Sequence, residues 1–167
     1  GKEAATIFST GFMANLGFIS AVAQRGDYIL ADRLDHASII DGANLSFGRL
    51  KRFEHNDPSS LETALKSIPL EAGKLIVIDG IFSMDGDIAD LPRIVPLAEK
   101  YNTAIMVDDA QLLARESLMD LCSLIVCPPQ KTAAASLIIV GDDMLAKQMA
   151  LAVMIGALPV LAKNQNR

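Results

Sequence analysis

The stretch VDDAQ, residues 107–111, ends an apolar run with two adjacent carboxylates, a small residue and an amide. Two carboxylates at the carboxyl end of a buried strand are costly to desolvate unless something cationic meets them. Asp108 and Asp109 therefore mark a place where a cationic partner is expected. Similar positions recur along the chain, each just after a strand-like apolar run. His36 follows DYILA (27–31), and Asp79 ends KLIVIDG (74–80) with Ser83 close behind. Gln111 follows the acid pair, and Lys131 lies just beyond SLIVC (123–127). A histidine can move protons or cap the helix it begins. A lysine with a free amine pair can act as a nucleophile.

The elements needed to carry these residues read directly from apolar periodicity. Strands are expected at 27–31, 49–53 (RLKRF), 74–80, 103–110 (TAIMVDDA), 123–127 and 136–141 (SLIIVG), with helices at 36–47, 57–68, 91–101 and from Asp142. The helix at 57–68 has its start written out, with Asp57 as cap and Pro58 at the first helical position. Continuous rather than alternating apolar strands, separated by helices, imply a parallel sheet covered on both faces. The expected fold is α/β, a three-layer α/β/α sandwich with a mostly parallel sheet. The 167 residues, 51% hydrophobic, suffice for one domain with a sizeable core. In such sheets ligands gather outside the carboxyl ends of the strands, where the residues named above fall.

Composition also removes function classes. A net charge of -5 and the lack of Lys/Arg runs argue against nucleic-acid binding. Cys122 and Cys127 have no CxxC or His-rich companion and read as reduced, buried thiols of a cytoplasmic protein. No apolar run reaches the length of a membrane span, and no signal peptide opens the chain. It begins at Gly1-Lys2-Glu3 without methionine, as a piece of something longer would. No G-x-G-x-x-G follows a strand and no G-x-x-x-x-G-K-[ST] is present, which counts against a plain nucleotide-binding domain.

The segments STGFMANLGFISAVAQRGDYILADRLDHASIIDGANLS, RFEHND, DGIFSMDGDIADLP and AIMVDDA occur in that order. In them the chain resembles the α-oxoamine synthases, pyridoxal-phosphate (PLP) enzymes of the type I aminotransferase fold. The branches nearest in these motifs are the 8-amino-7-oxononanoate synthases of biotin synthesis, toward which RFEHND leans, and the 2-amino-3-ketobutyrate CoA ligases. The resemblance runs from about Ala4 to Ala110. It implies pyridoxal 5'-phosphate as cofactor and a decarboxylative condensation of an amino acid with an acyl thioester (of CoA or a carrier protein). It also implies a homodimer or pairing with a homologous subunit. A PLP ring works as an electron sink only with its pyridine nitrogen protonated, so it needs a carboxylate beside it. By resemblance Asp108 takes that role and His36 stacks on the ring. Gly11 and Phe12 open a helix whose N–H groups hold the phosphate. Ser83 sits near the phenolic oxygen, Asp79 supports the site, and Lys131 is the Schiff-base lysine and proton carrier. The catalytic set is thus Lys131, His36 and Asp108.

Two departures from the family pattern accompany the match. Gln111 stands where the family has histidine, and an amide can donate a hydrogen bond but cannot titrate. Pro128 and Gln130 stand where the family has a phosphate-binding threonine and a small residue before the lysine, and proline offers neither hydroxyl nor N–H. The family's N-terminal arm and small C-terminal domain have no counterpart in these residues. A catalytically inactive or truncated homologue serving as a structural or dimerisation subunit is the alternative reading.

Overall fold

The computed structural model describes residues 8–113, 137–139 and 141. Its elements are α1 (Gly11–Val22), β1 (Tyr28–Asp32), α2 (Ala37–Leu45), β2 (Arg49–Phe53), α3 (Pro58–Lys66), β3 (Lys74–Asp79), α4 (Leu91–Lys100), β4 (Ala104–Asp108), a short 3-10 helix (Ala110–Leu112) and β5 (Leu137–Ile139). The strands expected at 27–31, 49–53, 74–80, 103–110 and 136–141 are present with ends shifted by up to a few residues. The expected strand at 123–127 and the helix from Asp142 lie outside the described residues, as do Cys122 and Cys127.

The strands pair in the order β2-β1-β3-β4-β5, all in parallel. Sequence direction therefore reverses between β1 and β3, since the chain moves outward from β1 to β2 and returns on the other side. The carboxyl edge beside such a reversal is where open α/β sheets leave a crevice.

Alternate strand residues enter different cores. Ile29, Ala31, Leu75, Val77 and Met106 pack with Ile19 of α1, Ala23 at its C-cap, and Ile39 and Ala43 of α2. Leu30, Ile76, Ile78, Ile105 and Val107 pack with residues of α3 and α4, among them Leu61, Leu65, Leu91 and Ile94. Burial on both faces explains why β3 is apolar without alternation, with every residue from Lys74 to Asp79 buried. The three-layer α/β/α expectation holds. The start of α3 also forms as expected, the Asp57 carboxylate accepting from Ser59 N–H at 2.8 Å with Pro58 in the first turn.

Helices α1 and α2 lie close together because Gly42 has no side chain at their crossing. A Cβ there would come within 3.1 Å of the Asn15 carbonyl oxygen and 3.2 Å of the Ile19 side chain. Among the described residues no helix is long and apolar enough to cross a membrane.

Candidate functional site

Parallel register brings the carboxyl ends of β1, β3 and β4 to one edge, with Asp79 and Asp108 directly paired across β3 and β4. His36 begins α2 immediately after β1 and is its N-cap. Its backbone N–H donates to Asp79 Oδ2 at 2.8 Å. Its ring nitrogen Nδ1 accepts from Ser38 N–H at 3.2 Å and lies 2.8 Å from Ser38 Oγ. The histidine is exposed, so the ring reaches the site while held from behind. From α1, Phe12 meets that ring edge-on at 6.2 Å between centroids. One turn further into α1, the Asn15 side-chain amide donates to Asp108 Oδ2 and to Ser38 Oγ, the latter at 2.9 Å.

Buried carboxylates are concentrated here. Asp108 is 7% exposed and Asp79 3%. Burial pushes the Asp108 carboxyl above its usual range, although the Asn15 amide and the Asp109 backbone N–H pull the other way. Burial likewise raises Asp79, to about 6, against the stabilising N–H of His36. Asp35, behind them, accepts from the backbone N–H groups of Asp79 at 3.0 Å and Asp32 at 2.7 Å. Burial raises it well above the usual carboxylate range. Among the described residues neither Asp79 nor Asp108 makes an ion pair with a lysine or arginine.

The two carboxylates of that segment part company. Asp108 faces inward, whereas Asp109 is exposed, with a left-handed backbone at φ 49° that turns the chain into the 3-10 helix. Gln111 donates through Nε2 to Asp109 Oδ1 at 3.1 Å. Ser83 is exposed in the turn after β3. Gly11 and Phe12 occupy the exposed first turn of α1, whose leading N–H groups have no intrahelical acceptor. Thr10 caps that turn, its Oγ1 accepting from Met13 N–H at 3.2 Å. His36, Phe12, Asp79 and Asp108 are thus brought together. Lys131, Pro128 and Gln130 lie outside the described residues.

Sequence reasoning missed Asn15 and Ser38, although both lie inside motifs already singled out. It also missed a second cluster at the same sheet edge. His55 Nδ1 lies 2.9 Å from Asp32 Oδ1 and its Nε2 2.9 Å from Asp87 Oδ2. The ring packs edge-on against Phe82 at 4.5 Å. Burial works against charge on His55, but its bonds to Asp32 and Asp87 outweigh that and raise its pKa. The signal was a histidine directly after a strand in HND (55–57), which places it at the sheet's carboxyl edge, although its partners Asp32 and Asp87 lie far from it in the sequence.

The model of aminotransferase class I and II matches residues 1–127. A serine palmitoyltransferase of Sphingobacterium spiritivorum is 56% identical over 113 residues, which are 68% of this chain and 28% of that protein. An 8-amino-7-oxononanoate synthase of Trichlorobacter lovleyi is 54% identical over 110 residues, 66% of this chain and 28% of its own length. Among solved structures, a serine palmitoyltransferase variant from S. paucimobilis with bound PLP–myriocin aldimine superposes with a TM-score of 0.62 at 42% identity, covering 65% of this chain and 28% of that one. The chain spans about 28% of the length of these curated relatives. Two differently named enzymes match almost equally, so the shared segment carries what they have in common rather than what separates them. With three quarters of its length under the family model, the chain belongs to the aminotransferase class I and II family, and within it resembles the α-oxoamine synthases.

Proposed function

We propose that this chain forms the cofactor-facing wall of a PLP-dependent acyltransferase that condenses an amino acid with an acyl thioester and releases carbon dioxide. The observation that carries the reading is Asp108, a buried carboxylate at the sheet's carboxyl edge with no cation beside it among the described residues. A protonated pyridine nitrogen supplies the missing charge, and a carboxylate there keeps that nitrogen protonated. The donor set fits the rest of the group. The exposed ring of His36 offers it a flat face, and the first turn of α1 at Gly11 and Phe12 offers N–H groups to a phosphate. When bound, PLP supplies an electron sink for the amino acid's α-carbon.

The chain's own residues would divide the remaining work. Asp108 holds a proton at the ring nitrogen and His36 fixes the ring plane. Asp79 supports His36 through its backbone N–H, Ser83 and Gln111 lend hydrogen bonds near the phenolic oxygen, and Lys131 holds the cofactor and moves the α-proton. The reading places this work in the cytoplasm and in a dimer of this chain or of this chain with a homologue. It is stated at the level common to serine palmitoyltransferase and 8-amino-7-oxononanoate synthase. Absorbance titration with PLP tests it: Asp108→Asn should weaken binding by about tenfold or more, the scale of one charge-assisted hydrogen bond. Equal affinity in wild type and variant would remove Asp108 from the site. Borohydride reduction followed by peptide mapping should place the label on Lys131.

A second reading is favoured by Gln111, whose amide cannot titrate where the family has histidine. In it the chain is a non-catalytic partner of an active homologue. Co-purification with a full-length homologue, together with no label on Lys131, would select it.

A further inference from the structure

Asp108 and His36 at the carboxyl edge are joined by an unbroken run of hydrogen bonds through Asn15 and Ser38. Asn15 is 1% exposed, and both hydrogens of its amide are used, one on Asp108 Oδ2 and one on Ser38 Oγ. An ionised carboxylate can only accept, which fixes which way the amide faces. The Asn15 Oδ1 atom is left buried without a partner, so the orientation is imposed by the two acceptors and not by Oδ1. Since Ser38 Oγ already accepts from Asn15, its own hydrogen is free to point at His36 Nδ1, 2.8 Å away. The Ser38 backbone N–H points at the same nitrogen from 3.2 Å and can only donate. Two donors thus converge on Nδ1, which must present its lone pair.

We propose that Asn15 and Ser38 are positioning residues that couple Asp108 to His36, locking the imidazole ring and its Nε2–H tautomer to the carboxylate through one amide and one hydroxyl. This rests on the reading of Asp108 and His36 as the groups that face the cofactor, and adds how they are held in register. The route crosses long sequence distances, since Asn15 and Ser38 are separated by 23 residues and Asn15 and Asp108 by 93. Three elements therefore meet at a single amide. A change in the carboxylate's grip on Asn15 is passed to the hydroxyl and so to the ring, without contact between Asp108 and the imidazole being needed. His36 cannot turn about its Cβ–Cγ bond without giving up both Ser38 contacts, so the ring faces the site in one orientation.

Nitrogen-15 spectroscopy of the imidazole rings tests this on the cofactor-free 167-residue chain at pH 8. The chain has two histidines, so only His36 and His55 contribute, and His36→Gln assigns them. In wild type the His36 proton should reside on Nε2, with the Nδ1 resonance moved upfield from that of a free imidazole acceptor. Ser38→Ala keeps the backbone N–H contact and the helix start, and should move Nδ1 back toward the free value. Ser38→Thr restores a hydroxyl and should restore the wild-type shift. Asn15→Leu touches neither ring nitrogen, yet should shift Nδ1 in the same direction by a smaller amount. Should Asn15→Leu not fold, the Ser38 pair decides alone. A proton on Nδ1 in wild type, or a Nδ1 resonance indifferent to Ser38→Ala, overturns the proposal. PLP titration separates the two readings: the nitrogen pattern without PLP binding sinks the cofactor assignment, and binding without the pattern sinks the coupling.

Discussion

A buried carboxylate reports its surroundings through the pH at which it ionises, and Asp79 is the clearest case. Its Oδ2 accepts from His36 N–H, while its Oδ1 has no partner among the described residues. With a folded pKa of about 6 against 3.8 for an unperturbed aspartate, its contribution to stability is fully present below the lower value and is lost as pH rises through the higher. The loss amounts to about 3 kcal/mol by pH 8, at 1.36 kcal/mol for each pKa unit. Asp79→Asn keeps an acceptor for His36 and cannot ionise, so its urea midpoint should vary less between pH 4 and pH 8 than that of wild type, by the share that Asp79 contributes. An unchanged pH slope would show that Asp79 ionises without penalty. Asp108, Asp79 and His36 were legible because strand ends in a parallel sheet mark the ligand edge, and a strand can be read from a run of apolar residues. Asn15 and Ser38 were not, because nothing local distinguishes a helical asparagine that meets a carboxylate 93 residues away from one that meets water.

The elements explain why that meeting occurs. Helix α1 reaches α2 closely enough for Asn15 to touch Ser38 because Gly42 leaves room for the Asn15 carbonyl and the Ile19 side chain. Gly42→Val should destabilise the chain by about 2 kcal/mol, a typical cost of overpacking, and push the helices apart. Denaturant unfolding measures the first effect, and loss of the His36 Nδ1 shift reports the second. At the other side of the edge, the segment between β3 and α4 is tied down from the β2–α3 turn. His55 reaches Asp87 there, and Asn56 donates to Ile88 O at 2.9 Å and accepts from Asp90 N–H at 2.8 Å. Removing the ring in His55→Ala leaves Asp32, a fully buried carboxylate, with only the Leu34 and Asn56 N–H groups. A loss of about 1–3 kcal/mol is expected, with faster amide exchange confined to residues 82–88. Exchange unchanged in that segment would show that Asn56 alone holds it. The described strands and helices α2, α3 and α4 were readable from periodicity within a few residues, whereas α1 entered through the resemblance alone. The close crossing and the strap were not, since both depend on which glycine or histidine the tertiary fold brings opposite a partner.

Taken over the described residues, the ionisable groups tilt stability toward acid. Burial raises Asp35, Asp79 and Asp108, so each contributes stability that is complete below the usual aspartate range and fades as pH rises through its folded value. His55, raised by Asp32 and Asp87, acts in the same direction from its ordinary 6.5 upward. Glu62 opposes them only at low pH. Its bonds to Lys100, Tyr101 and Lys66 hold it at about 2, so its contribution is present above 4.5 and is lost as pH falls through that lower value. The cofactor-free chain should therefore be most stable at about pH 4 to 5, below the usual pH 5–8 span, with its melting temperature falling by several degrees toward pH 8. A cationic ring beside Asp108 reverses the sign for that group, because ionisation then gains an ion pair where it had met only desolvation. Melting curves from pH 4 to 9, with and without PLP, read both statements. A melting temperature that climbs steadily to pH 8 without cofactor would mean that the carboxylates at the sheet edge are already neutralised by the chain itself. A decline that PLP leaves untouched would mean that the cofactor does not meet Asp108. The expected pattern is a decline in the free chain that PLP reverses as the pH rises and the buried Asp108 carboxyl ionises.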